Sequence, residues 1–366
     1  MRMGRYAVMT VLAAACGGVP DPEPAAIGSG DWTLEPISTF TAAMDDTVLV
    51  NSITGLQPGH DGFLYVTMRG DRRISVLTTD GQQVRRIGGE GEGPGEFTGI
   101  NGLGWRSESL WVMDTQLGRL SWFDSAGLFL GSERQPEPHL RPTSSGGLLG
   151  MKQLWVEATS TRVEFQAPGQ PGLTTVKQIS WIRGGFRLPQ GGGTFRVGAH
   201  PLSDSPLATH HPRGQGMVVA ERSAADGPVV LTWISANGAI IREERVQLEA
   251  PALTGPAWRT FLDAFFNPSL GPGISESQLD AVLVRPDRWP PVSQLQLSTD
   301  GKVWLKGPTM PGADVTWTVL DSMATRLGSI TLPADLRLMH LSGDTVWTMR
   351  PNADDLDVVT RYLLRR

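Results

Sequence analysis

A single cysteine in 366 residues excludes an intramolecular disulfide, so no covalent staple holds this fold in any compartment. The net charge of −5 comes without a long basic run, which removes the electrostatic footprint that nucleic-acid binding requires. Also missing are a Gly-x-Ser-x-Gly elbow, a Gly-Lys-Ser/Thr phosphate loop and a His-x-x-x-His pair, so serine-hydrolase, nucleotide and zinc-protease chemistry have no local signature. The leading apolar run, Tyr6 to Ala15, has ten residues and is too short to span a bilayer. Turn formers and tryptophan are abundant instead. Gly (44) and Pro (27) make up a fifth of the chain, and 12 Trp with 40% hydrophobic residues argue against disorder.

Six short segments repeat an aliphatic residue, usually an aromatic, then another aliphatic near a Gly-containing turn. They are Leu64-Tyr65-Val66, Leu110-Trp111-Val112, Leu154-Trp155-Val156, Met217-Val218-Val219, Val303-Trp304-Leu305 and Val346-Trp347-Thr348. Their centres lie 46, 44, 63, 86 and 43 residues apart. A period in the forties, with β-branched and aromatic runs broken by turns every ten residues or so, is that of a propeller blade rather than a helical repeat. One hydrophobic-faced sheet per unit cannot bury itself, so the units must stack around an axis. The reading is an all-β, six-bladed β-propeller over 32–366. The 63-residue interval, which holds Thr175 to Trp181, leaves a seventh blade as the alternative.

The last unit supplies three strands, and Trp32 to Phe40 has no sheet of its own. That segment is expected to pair as the fourth strand of the last blade, so that no long edge stays open. The 86-residue interval holds Ala257 to Phe266, apolar at helical spacing, and Ser275 to Val284, which opens on the capping arrangement Ser275 and Gln278. A short helical insert near 255–286 is predicted, placed where it could form part of a lid over the channel mouth.

Arg2 and Arg5 precede the short apolar run, which ends in Leu12-Ala13-Ala14-Ala15-Cys16. This is a secretory leader, and its end resembles the lipobox of bacterial lipoproteins, with Leu at position 12 and Ala13 where that pattern usually has Leu. The resemblance implies cleavage before Cys16 and lipidation of that cysteine. The other readings of this run are an ordinary cleaved leader and an uncleaved start. Residues 1–16 are thus assigned to the leader and 17–31, rich in Gly, Pro, Ala and acid, to a flexible tether. The address that follows is the cell envelope, membrane-anchored through lipid, at the outer membrane or facing the periplasm.

Residues Arg86-Ile87-Gly88-Gly89-Glu90-Gly91-Glu92-Gly93-Pro94-Gly95-Glu96-Phe97, followed by Leu110-Trp111-Val112-Met113-Asp114, resemble the interblade loop and next strand of NHL-type six-bladed propellers. The likeness covers about residues 57 to 131. Bacterial lipoproteins of this type mostly have no assigned activity, and fold does not dictate function. Glu90, Glu92 and Glu96 could contact a cation, but three carboxylates on one strand fall short of the six or more oxygens a hard ion takes, so the loop is read as structural.

His60, His139, His200, His210, His211 and His340 show no spacing that converges on zinc, and His210-His211-Pro212 reads as a polar loop. No catalytic residue, metal or cofactor is assigned. Candidate ligand contacts are the residues of turns expected to ring one mouth of the channel: Arg69, Arg72, Asp114, Arg119, Arg162, Arg222, Lys306 and Arg350. Trp258, Trp289 and Phe266 of the insert could add an apolar anchor, or could simply pack its helices. The function expected is a binding or scaffold module for a protein, peptide or glycan, with no nucleic acid. The alternative is a calcium-dependent lactonase or esterase of the kind six-bladed propellers include, whose metal is held in the central channel by Glu, Asn and Asp of several inner strands.

Overall fold

The structure, a computed structural model, describes residues 25–41, 43–44, 48–49, 52–135, 137–152, 160–181, 185–191, 194–222, 227–266 and 276–366. The leader with Cys16, the tether up to residue 24, the segment Leu154-Trp155-Val156 and Ser275 lie outside them. The molecule is a six-bladed propeller. Blade 1 runs Ile53–Pro58, Leu64–Met68, Ile74–Leu77, Gln83–Ile87, and blade 2 runs Ile100–Arg106, Ser109–Asp114, Arg119–Phe123, Phe129–Arg134. Blade 3 uses Leu140–Pro142, Leu148–Lys152, Ser160–Gln166 and Thr174–Ser180. The last of these is the outer strand of blade 3, which assigns the segment left open between six and seven blades. Blade 4 is Leu207–His210, Gly216–Glu221, Val229–Ser235, Ile240–Val246, and blade 5 is Gln294–Leu297, Val303–Lys306, Val315–Leu320, Arg326–Leu332.

Blade 6 closes the ring as the sequence leads one to expect. Its strands Arg337–Ser342, Thr345–Pro351 and Asp357–Arg365 are completed on the outside by Thr33–Thr41, which pairs antiparallel with Asp357–Arg365. A further pair is added just upstream, where Ser29–Gly30 joins the outer edge of blade 5 against Thr331 and Ile330. The paired chain therefore starts inside the stretch read as tether, because Asp31 accepts from Ser329 N at 2.9 Å and draws it onto that edge.

Every interface between neighbouring blades has its own apolar cluster, and this explains the repeated triplets. Leu64, Val66 and Met68 pack toward Trp347, Met349 and Val359 of blade 6, whereas Tyr65 packs toward Leu103, Trp105 and Val112 of blade 2. Successive side chains of a strand point to opposite faces, so a strand sandwiched between two sheets is apolar at every position. The same holds around the ring, with Trp304 and Trp317 against blade 6, and Val218, Ala220 and Trp233 against Leu295, Leu305 and Leu320.

Two excursions leave the outer strand of a blade for the inner strand of the next. One carries the hairpin Gly185–Gly191 and Thr194–Ala199, and the other carries helix α1 (Gly255–Phe266) and helix α2 (Glu276–Val282). They share a separate core of Phe186, Leu202, Leu253, Trp258, Leu262, Leu279, Leu283 and Trp289. Trp258 and Trp289 are thus interior residues of this second core, Trp258 stacked on Phe261 and Trp289 meeting the same ring edge-on. The side chain of Phe266 lies outside the described ones.

Candidate functional site

In a four-stranded antiparallel blade the turns between second and third strands emerge at the same end as the interblade connections. The rim expected from sequence sits at that end, and its members differ in what they do. Arg69 and Arg350 are exposed beside the turns of blades 1 and 6. Arg72 donates to Gly70 O (2.7 Å) and lies 3.4 Å from Glu90. Lys306 ends its strand half-buried, its Nζ 5.9 Å from the Trp317 ring, and burial lowers its pKa. Arg162 is exposed but lies within the third strand of blade 3, opposite Lys152 and Gln178, rather than in the turn where sequence spacing placed it. The expected aromatic strand of that blade falls on 153–159, outside the described residues, and the second strand is Leu148–Lys152.

Three of the rim candidates are committed to backbone. Fully buried Asp114 accepts from Thr98 N (2.7 Å) and Gly99 N (3.1 Å) on one oxygen and from Gln116 N and Leu117 N (both 3.0 Å) on the other. Arg119 donates to the carbonyls of Glu92, Gly93 and Glu96, holding the glycine-rich loop, in which Gly88 and Gly95 take positive φ. Buried Arg222 donates from Nε to Ser205 O (2.9 Å) and from Nη1 to Val292 O, tying together the ends of both excursions. Asp114→Ala should strip four backbone donors of their acceptor. A loss of about 2–4 kcal/mol and a melting temperature lower by several degrees are expected in a thermal melt; an unchanged melt would contradict the assignment.

The channel itself is lined from all six inner strands around a cavity of ≈ 360 Å³. Those strands read ITGLQP, INGLGWR, LRP, LATH, QLQL and RLMHLS, and contain no Asp or Glu. Among the described residues no group of three or more His, Cys, Asp or Glu could hold a metal ion. Arg141, on the inner strand of blade 3, lines the cavity. Its Nη1 donates to Pro138 O (2.9 Å), to its neighbour Leu140 O (3.0 Å) and to Met113 Sδ (3.0 Å). It has no carboxylate partner among the described residues, and burial lowers its pKa to about 10, which leaves it a cation at neutral pH.

Two histidines line the same cavity. His210 ends the inner strand of blade 4 and donates from Nε2 to Leu149 O (2.9 Å), which leaves Nδ1 as an acceptor. Burial first, then the charge of Arg141, lower its pKa to about 4. His340, on the inner strand of blade 6, has no hydrogen bond on either ring nitrogen among the described residues, and burial with the Arg213 charge lowers its pKa to about 4 as well. Gln57 adds an amide oxygen that is buried and unpartnered. Gln296 spends its amide nitrogen on Leu338 O (2.8 Å), so its oxygen is the atom left for the cavity. Trp111 reaches the cavity from a second strand because Gly104 stands in front of it: a Cβ there would lie 2.6 Å from the indole.

None of the eight rim residues lines this cavity. From sequence His210 and His340 stand out only as poor zinc candidates, and nothing local marks Arg141 or Gln57. The available signal was position, polar residues in the short strand that precedes each blade's apolar second strand. His200, by contrast, is structural: Nδ1 accepts from Leu202 N (3.1 Å), Nε2 meets Val284 O (3.1 Å), and the ring stacks on Trp258.

The DUF5128 family profile, described as a 6-bladed beta-propeller, matches residues 44–136, a quarter of the chain that covers blades 1 and 2. No curated protein matches significantly. Among solved structures, an exported protein of Bacteroides fragilis aligns at TM-score 0.50 and 12% identity, over 91% of this chain and 95% of its own. A member of the DUF4221 family from Bacteroides vulgatus aligns at TM-score 0.50 and 12% identity, over 91% and 98%. A gluconolactonase of Xanthomonas campestris aligns at TM-score 0.46 and 12% identity, over 96% and 99%, too distant to bear on chemistry. At these identities the likeness is one of fold: this chain is a six-bladed β-propeller.

Proposed function

We propose that the protein is an exported, lipid-anchored propeller that acts as a binding module, taking a peptide, protein or glycan partner at the end of the ring that carries the interblade connections and in its axial cavity. The observation that carries this reading is the chemistry of the inner strands, which offer a half-buried arginine without a carboxylate partner among the described residues, neutral imidazoles and amides, and no carboxylate. A hard cation in a channel takes several oxygen ligands, carboxylates foremost, so the hydrolase alternative lacks the residues it would need. No described helix is long and apolar enough to cross a membrane, and the anchor rests on the lipobox-like end at Cys16. Exposed Arg69 and Arg350 would meet a large partner at the rim.

Thermal melting of the protein with and without a calcium chelator tests the reading. Equal melting temperatures are expected. A fall of several degrees on chelation that calcium restores would turn the assignment to a metal-dependent enzyme. Cys16→Ala should in turn move the protein from the membrane fraction to the soluble one; retention in the membrane would remove the anchor.

A further inference from the structure

Resting on the binding-module reading, we infer that the axial cavity is a site for a small hydroxylated carboxylic acid of hexuronate size, its acid group on Arg141 and its hydroxyls on Gln57, His210 and His340. Arg141 is the starting point. A guanidinium half withdrawn from water with no carboxylate beside it among the described residues favours an anion, and a ligand carboxylate is the group that matches its fork. Among the described residues only Nη1 is engaged, which leaves Nε and Nη2 for a ligand.

The remaining lining then asks for hydroxyls rather than for further charge. Among the described residues Gln57 Oε1 and His210 Nδ1 are acceptors without donors, and His340 presents one donor and one acceptor when neutral. A hydroxyl both donates and accepts, so a polyol satisfies all three, whereas a second carboxylate would set its lone pairs against those of Gln57 and His210. Both imidazoles are held neutral at pH 7 by burial. The Trp111 indole supplies an apolar surface of the kind on which a sugar ring stacks. The volume of ≈ 360 Å³ lies at the small end of ligand pockets, which suits one sugar ring and not a chain of several.

Isothermal titration of the whole protein with glucuronate, with its methyl ester and with glucose tests the site. Glucuronate should bind, and the ester and glucose about 10- to 100-fold more weakly, the loss expected for one charge-assisted pair. Arg141→Gln should bring glucuronate down to the level of glucose, and Arg141→Lys should fall between. If Arg141→Gln does not fold, the ester comparison on the unaltered protein decides alone. Equal binding of acid and ester, tighter binding of acetyl-Ala-Ala than of glucuronate, or no binding of glucuronate would overturn the proposal. Those outcomes leave the module reading standing as long as chelation does not move the melting temperature.

Discussion

Removal of residues 25–41 is expected to abolish cooperative folding. Thr33–Thr41 is the outer strand of blade 6, and its side chains reach both neighbouring blades. Trp32 packs 6.0 Å from the Trp304 ring of blade 5, while Phe40 lies in the cluster shared by blades 6 and 1. Leu34 is fully buried among the apolar residues of blades 5 and 6. Losing three such side chains costs about 8–15 kcal/mol, which is comparable with the whole stability of a typical domain at about 5–15 kcal/mol. The deletion also uncovers Asp357–Arg365 as a nine-residue unpaired edge, a template for aggregation. The truncated chain should be recovered as aggregate, or as a species without a sharp melt by circular dichroism. A cooperative transition within about 2 °C of the full chain would show that ring closure does not depend on this strand. Leu34→Ala is a milder form of the experiment, with about 2–4 kcal/mol expected.

Acid is the second large lever, and its sign follows from the channel. His210 and His340 have folded pKa values of about 4, below the unfolded value of about 6.5. Above pH 6.5 neither state binds the extra proton, and these residues add no pH dependence. Between pH 6.5 and 4 the unfolded chain takes protons that the folded one refuses, so stability falls as pH falls. Each histidine contributes up to about 3 kcal/mol of loss by pH 4, at about 1.4 kcal/mol per unit of pKa difference. His139 and His211, also lowered chiefly by burial, act in the same direction. Asp300 and Glu243 have lowered pKa values, and the stability they add is lost only further down, as they protonate in the folded state. Urea unfolding from pH 8 to 4.5 should give a plateau and then a decline beginning near pH 6.5. The double variant His210→Gln, His340→Gln should flatten that decline; an unaltered pH profile in the variant would mean the titrating groups lie elsewhere.

Much of the fold could be read from residues. A strand buried on both faces must be apolar at each position, so the triplets at 64–66, 110–112 and 303–305 announce blade interiors, and the Gly-containing turns space them. The closing segment was legible because three strands at one terminus and one at the other leave a single economical pairing. The helical insert showed in its aromatic spacing, although α2 begins at Glu276 and α1 at Gly255, boundaries that depend on packing against the hairpin near Phe186. The added pair Ser29–Gly30 carried no signal, since two residues of Ser and Gly have no strand preference of their own and are held by the edge of blade 5.

The cavity is different in kind. Gln57, Arg141, His210 and His340 come from four blades, separated by dozens of residues, and each alone reads as a polar residue in a short strand. Asp114 and Arg119 looked like rim charges for the complementary reason, because a charge beside a turn announces its exposure but not the backbone groups that bury it. Periodic burial is a local property that a sequence writes directly, residue by residue. Which polar groups share a cavity, and which lack a partner there, depends on the ring closing, and so belongs to the tertiary structure alone.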